Sequence, residues 1–525
     1  MTNPVIAPSD HRDTQHWSTV AAAVAVGAIY AYAMRRGDPD LWGYLDAGRL
    51  FWERGTVHVT DPFAFTSGAT DWVTFEYLSD ILLWLAYTVA GTLGLVLLKT
   101  VVGGLALYWL ARCVHLAAGG RAVWLPVFLV AAALLNRSFL FRPQLFSFAF
   151  FAFFTLTLWR HLLQQRARLW LLPLVMLAWA NLHGGFLAGL GAIGLAVALR
   201  GSQAVQAGRP AFEGTGPLVA VGVAATAASF VTPEGFRLWE YVVTEVFYGT
   251  NKAYIAEWLP LLRSGDTWSM LGHVMLSASI AALAALSPSR LASRRGPAAA
   301  AWAVSGVVLI GLGFSAVRHV PIAAIWLAPV AARLLTGDGC AAPRLVAGTT
   351  SGYWVVAVFG VIVNLTMVFT QLSPIVFTGG TVFGSTHPCG VAAFMRNEGL
   401  EGRLYTPLPW GSFFTWELYP RVMVSMDGRN ITRFPKDLVL EHLRFYSDAA
   451  ADADLEAPLR HDSDVLVLPT DSPVLERVRS DTRWQVIYAD GHAVLFQRSG
   501  RARQQQAVHP RPVERSCDSL LDQHR

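Results

Sequence analysis

The chain has 525 residues, 54% of them hydrophobic and 15% charged, with a mean hydropathy of +0.40. A soluble domain carries about 25% charged residues, so a soluble globular protein is excluded, and long apolar runs with short polar joins define a polytopic α-helical membrane protein. The net charge of +5 is spread over many loops, which speaks for membrane topology and against a nucleic-acid surface.

Residues 1–16 read as a cytoplasmic N-terminus. The first apolar run, 17–34, is long and no small-residue cleavage site follows it, so it reads as a span and not as a signal peptide. A long first external loop, 35–93, opens with GDPDLWGYLDAG, which places Asp38, Asp40 and Asp46 close together. Within that loop, EYLSDILLWLAYTVA (76–90) is apolar but begins with two acids, and reads as an interfacial helix lying on the membrane. Ten more spans follow near 94–111, 121–136, 145–162, 169–180, 185–199, 216–231, 267–286, 298–314, 320–335 and 352–371, giving about eleven within a membrane domain of 17–372.

With the N-terminus inside, the cytoplasmic loops hold Arg112 and Arg121; Arg160, Arg166 and Arg168; Arg200 and Arg209; Arg290, Arg294 and Arg295; Arg333 and Arg344. That is the positive-inside pattern; Arg35 and Arg36, at the outer end of the first span, count against it, and Arg137 and Arg142 are disfavoured at an outer loop. Counting 76–90 as a span would turn every later loop over. The same assignment puts GDPDLWGYLDAG, NRSFLFRPQ, NLHGG, TPEGF, AEWLP and AVRHVP on the outer face. A channel would distribute polar residues through its spans, and a transporter would place them near the midplane. Polar chemistry at one interface suits an enzyme acting on a lipid-linked substrate.

After residue 372 the pattern changes. GRLYTPL, RVMVSMD, SDVLVLP and WQVIYADGHAVLFQR read as strands, the last as a hairpin turning at Asp490-Gly491. PKDLVLEHLRFYSDAA and SPVLERVRS read as helices, the second with Ser472 as N-cap. Together they predict a small, self-contained extracytoplasmic α/β domain over 387–498, followed by a polar tail, 499–525, with a disordered composition. MDGRN, 426–430, reads as a polar turn. Cys113, Cys340, Cys389 and Cys517 form no C-x-x-C pair and suggest neither a zinc site nor a disulfide framework.

The first loop carries Asp40, Leu41, Trp42, Gly43, Tyr44 and, further on, Gly55. In these residues and in its loop placement over 17–335, the chain resembles the GT-C superfamily of polytopic glycosyltransferases, in particular the bacterial branch similar to protein O-mannosyltransferases and aminoarabinose transferases. That family's Asp-Glu pair is matched at Asp40 only, because Leu41 stands where the Glu would be. The resemblance implies a sugar donor linked to polyprenyl phosphate and a catalytic acid in the first external loop. It also implies a basic residue of a late external loop at the lipid phosphate, which falls here on Arg318.

Transfer from such a donor requires a base for the acceptor proton, and a positioned carboxylate supplies one. Asp40 is the first candidate and Asp38 the second; Tyr44 shares a helical face with Asp40. The ordinary alternative for both acids is helix capping. Together they could hold a divalent metal, Mg²⁺ or Mn²⁺, against the phosphate. Glu76 and Asp80 can face the same cavity. Arg137, Arg142, His183, Arg318 and His319 are the candidates for phosphate contact, with headgroup snorkelling or a structural histidine as alternatives. The expected function is a membrane glycosyltransferase that uses a polyprenyl-phosphate sugar, with the lipid bilayer as its other partner. A flippase for lipid-linked glycans and a non-catalytic assembly protein are the competing readings.

Overall fold

The computed structural model describes residues 39–67, 72–136, 138–164, 167–248, 255–285, 296–336, 387–429 and 434–500. The first and last sequence-predicted spans, 17–34 and 352–371, lie outside them, as do Asp38, Arg137 and the polar tail beyond residue 500. Two compact units form. Of the described residues, one holds 95–336, and the other joins 39–94 with 387–500.

In the first described part of the chain, α1 is Leu41–Arg54 and α2 is Tyr77–Ala117. The helical geometry of α2 breaks at Ala90 (φ −142°, ψ 21°) and Gly91 (φ 56°, ψ −141°). The segments read from the sequence as an interfacial helix and a separate span are thus one helical run with a kink. Glycine is the residue that adopts the positive φ at this bend without strain.

The membrane unit continues with α3 (Trp124–Asn136), α4 (Gln144–Gln164), α5 (Leu171–Leu182), α6 (Leu187–Gln206), α7 (Gly216–Ser229), α8 (Phe236–Tyr248), α9 (Thr267–Ala285), α10 (Gly296–Ser315) and α11 (Val320–Thr336). Helices thus cover nine of the eleven sequence-predicted spans. Among the described residues, four helical runs are long and apolar enough to cross a membrane (Tyr77–Ala117, Gln144–Gln164, Gly184–Gln206 and Val317–Thr336), and five more apolar helices are shorter. The chain is a helical membrane protein. The sequence reading gave no helix over α8, FRLWEYVVTEVFY, whose apolar and charged residues alternate by face and do not form a continuous apolar run.

The centre of this unit is α11. It packs against α3, α4, α9 and α10, and its residues from Val320 to Ala332 are buried apart from Ile322, which is partly exposed. A helix apolar on every side belongs inside a bundle. By contrast, α2 leaves Leu97, Val101 and Leu105 exposed at successive four-residue steps, a stripe suited to lipid.

The second unit holds α12 (Cys389–Asn397), β1 (Gly402–Tyr405), α13 (Leu408–Leu418), β2 (Val422–Val424), α14 (Lys436–Phe445), β3 (Val465–Pro469), α15 (Leu475–Arg479), β4 (Trp484–Ala489) and β5 (Ala493–Arg498). The strands form one sheet in the order β2-β1-β3-β5-β4. β1 runs parallel to β2 and β3, while β5 is antiparallel to β3 and β4. The hairpin turns at Asp490-Gly491, where Asp490 Oδ1 accepts from the backbone N–H groups of His492 and Ala493 at 2.8 and 2.9 Å.

Two sequence expectations change here. Helix α15 begins at Leu475 with Val474 at the N-cap position. Ser472 and Pro473 belong to a preceding turn, in which Ser472 N–H bonds the Pro469 carbonyl, so the Ser472 hydroxyl does not cap. Cys389 is disulfide-bonded, with a partner outside the described residues, whereas Cys113 is free and buried. Spacing along the sequence carries no signal for a single bridge.

The sheet shares its unit with the first loop. Strand β2 lies at a sheet edge, and the first loop pairs with it. Ala64 bridges Val424 in parallel, through Phe65 N–H to the Val424 carbonyl (3.1 Å) and Val424 N–H to the Phe63 carbonyl (3.0 Å). Trp42 of α1, 1% exposed, packs on Phe413 and Trp416 of α13 and donates its indole N–H to His387 Nε2 at 3.2 Å. An open sheet edge is thereby covered. Truncating a buried tryptophan typically costs about 3–5 kcal/mol. Trp42→Ala should therefore lower the melting temperature of the purified chain and speed proteolysis within 387–500; a wild-type protease pattern would show that the sheet stands without the first loop.

Candidate active site

Asp40 occupies the N-cap position of α1 with φ −77° and ψ −16°, but its side chain makes no capping hydrogen bond. Its carboxylate Oδ1 lies instead against Gly428, where a Cβ would collide with it. The Gly428 N–H donates to the Ser412 hydroxyl at 3.2 Å. Gly43 of α1 also faces Ser412 Oγ, and Gly411 lies against the Met426 carbonyl. Glycines at 43, 411 and 428 thus let α1, α13 and the turn after β2 approach closely. Asp40 is half-buried, so its carboxylate is held yet reachable.

Next to it, Arg429 forms the polar centre of the unit. Its guanidinium grips Asp61 bidentately, Nη1 to Oδ1 at 2.8 Å and Nη2 to Oδ2 at 3.1 Å, and Nε donates to Asp427 Oδ1 at 2.9 Å. The rings of Phe63 and Trp72 lie 5.0 and 4.8 Å from it, a cation–π arrangement. Burial opposes the Arg429 charge, but Asp427 and Asp61 outweigh it and raise its pKa above the ordinary value.

Asp46 is 1% exposed. Its Oδ1 accepts from Arg49 at 2.9 Å, and its Oδ2 is buried without a hydrogen-bond partner. Burial pushes its pKa up to about 7; Arg49 and Arg429 pull it down, and Asp427 adds to the rise. Asp80 is buried as well, with Oδ1 lacking a hydrogen-bond partner, and its carbonyl abuts Gly48 of α1. Glu76 lies one turn before Asp80, half-buried, and Tyr44 one turn after Asp40. Among the described residues, no three His, Cys, Asp or Glu side chains group closely enough to hold a metal ion. The Asp38 half of the suggested Mg²⁺ or Mn²⁺ pair lies outside them.

The basic candidates belong to the membrane unit. Arg142 Nη1 donates to Glu257 Oε1 at 2.6 Å. The neighbouring Trp258 carries the Arg318 guanidinium over its ring at 4.2 Å and meets the His319 ring edge-on, with centroids 6.0 Å apart. His319 Nδ1 also bonds the Ser315 hydroxyl at 2.8 Å. Trp258, read from the sequence as an interface anchor, is the platform for these two basic residues. His183 lies within electrostatic reach of Arg318. Its Nδ1 accepts the Gly185 N–H at 3.0 Å and meets the Ser147 hydroxyl at 2.7 Å, and Ser147 in turn accepts from Trp179 Nε1 at 2.6 Å. With Nδ1 an acceptor, the neutral ring carries its proton on Nε2.

Sequence reasoning did not single out Lys99, Arg429, Asp61, Ser412 or Gly428. Lys99, 2% exposed, stacks its ammonium 4.6 Å from the Phe141 ring, next to Arg142. A lysine inside an apolar run is costly and marks a functional position; that signal stood in LVLLKTVV. The others could not be picked out, because their partners lie hundreds of residues away.

The sequence matches no family model and no curated protein. Among solved structures, the chain is similar to ArnT from Cupriavidus metallidurans in its apo state, with 14% identity, a TM-score of 0.50 and coverage of 91% of this chain and 96% of that one. It is also similar to the arabinofuranosyltransferase AftD from Mycobacteria, with 15% identity, a TM-score of 0.50 and coverage of 91% of this chain but 41% of that one. The chain therefore shares its fold with ArnT and AftD.

The Asp46 carboxyl gives a pH test. The unfolded group titrates near pH 4, the folded one near 7. Between these values the folded chain binds the extra proton, so stability is fully present below about pH 4 and falls as pH rises toward 7, by on the order of 4 kcal/mol at most. Asp46→Asn removes this dependence. Its melting temperature should match wild type only below about pH 4 and exceed it by a growing margin toward pH 8; a constant difference across that range would show that Asp46 is charged in the fold.

Proposed function

We propose that the chain is a membrane glycosyltransferase that moves a sugar from a polyprenyl-phosphate donor to an acceptor hydroxyl or amine, on a lipid, glycan or protein, outside the cell membrane. The observation that carries this reading is the Asp40 carboxylate. It stands at a helix start without capping it, half-buried and aimed at a glycine turn. Capping, the ordinary role of an acid there, is not what this one does. The GT-C fold agrees with the reading.

In the proposed reaction the acceptor attacks the anomeric carbon opposite the leaving phosphate, and the configuration inverts. The acceptor's proton passes to Asp40. The carbon–oxygen bond to phosphate breaks, and its electron pair departs on polyprenyl phosphate. Arg318 is the first phosphate partner, with His319, Arg142, Arg137 and Lys99 in support, and His183 suited to donate from Nε2. No nucleotide sugar is required.

The N-terminus is assigned to the cytoplasm and the unit containing the sheet to the outside. The arginine distribution supports this, and so does the disulfide at Cys389, because disulfides persist in oxidising compartments. The exposed Thr56 and Ala207 provide the check. Thr56→Cys should react with a membrane-impermeant thiol reagent on intact cells and Ala207→Cys should not; the reverse labelling would overturn the orientation. Asp40→Asn should slow transfer by about a hundredfold or more, with donor binding nearly unchanged. Arg318→Ala should weaken donor binding as well as slowing transfer. The readout is polyprenyl phosphate released in liposomes of native membrane lipid, measured by mass spectrometry; wild-type turnover in Asp40→Asn would defeat the assignment.

A further inference from the structure

The turn that follows β2, MDGRN, reads in the sequence as an ordinary connection, but three of its residues contact the site. Asp427 and Arg429 fix its conformation: Arg429 N–H and Nε both bond Asp427 Oδ1, at 3.0 and 2.9 Å, and the outer nitrogens clamp Asp61. Between them sits Gly428, whose N–H is held by Ser412 Oγ and whose Cα hydrogens face Asp40 Oδ1. Gly428 does not have a positive φ, so its lack of a side chain serves space and not backbone conformation.

We infer that Gly428, held by Ser412 and the Arg429 clamp, is a positioning residue for the Asp40 carboxylate, so that the C-terminal part of the chain belongs to the catalytic machinery. The inference rests on the reading of Asp40 as the base. A general base must sit within hydrogen-bond reach of the proton it removes, and a displacement of about 1 Å can cost about a hundredfold in rate. Gly428 forms the floor against which the carboxylate rests. A methyl group there would meet the carboxylate end of a side chain, which can rotate away. The fold should therefore tolerate alanine while the carboxylate is displaced.

The test uses the full chain in liposomes of native membrane lipid extract as the donor pool, with released polyprenyl phosphate as the readout. Gly428→Ala should lower the maximal rate by about tenfold to a hundredfold, with the dependence of rate on extract content and the melting temperature unchanged. Added to Asp40→Asn, it should cause no further loss, because two changes acting through one group are not additive. Ser412→Ala, which removes the hydroxyl holding Gly428, should give a smaller loss of the same kind. If Asp40→Asn is inactive while Gly428→Ala turns over like wild type, the positioning inference falls and the catalytic reading stands. A full additive loss in the double variant also overturns it. Should Gly428→Ala fail to fold, wild-type rate in Ser412→Ala overturns the inference. Wild-type turnover in Asp40→Asn overturns the catalytic reading itself.

Discussion

The second unit depends on one buried ionic contact, the grip of Arg429 on Asp61 and Asp427. All three side chains are nine-tenths or more buried. A buried charge pair is not a source of stability in itself, since desolvation offsets much of the attraction. Its effect lies in what each partner forbids. With either carboxylate missing, an arginine would sit between Phe63 and Trp72 with part of its charge uncompensated. The contact therefore admits only one register between the first loop and the turn after β2. The same register sets Ala64 opposite Val424, brings Gly428 under Asp40 and places Asp46 in the field of Arg429.

The two acids of α1 show how environment divides labour between identical groups. Asp46 is buried beside Arg49, and burial favours its neutral form. Asp40 lies six residues earlier at the helix start, half-buried beside a glycine. The basic residues of the membrane unit follow a parallel logic. Glu257 holds Arg142, and Trp258 carries Arg318 on its ring face, so these cations keep fixed positions while retaining the planar donors that suit phosphate.

Much of this was legible in the sequence. The apolar runs gave nine described helices because length and hydropathy are local properties. The strands VLVLP and WQVIYA announced themselves by composition, and the hairpin by Asp490-Gly491. Asp40, Arg318, His319, Arg142 and His183 stand out by chemistry and by face; Arg142 meets Glu257, Arg318 and His319 meet Trp258, and His183 lies within electrostatic reach of Arg318. What stayed hidden was pairing across long separations. Nothing near residue 61 announces an arginine at 429, and nothing in MDGRN says that its glycine meets an aspartate at 40. The pairing of the first loop with β2 stayed hidden for the same reason: an edge strand does not reveal in its own sequence what covers it. Lys99 was the exception, visible in its run yet passed over.

The span of that ionic contact bears on how the protein is made. Asp61 and Arg429 are separated by 368 residues. At a translation rate of about 5–20 residues per second, the first loop waits roughly 20 to 70 seconds before the strand it must cover leaves the ribosome. During that interval Trp42, Phe63 and Trp72 have none of their C-terminal partners, while the membrane helices that separate them are being inserted. A chain that stalls midway is left with an apolar, acid-bearing loop and nothing to close it, a defect that quality-control proteases and chaperones are equipped to read.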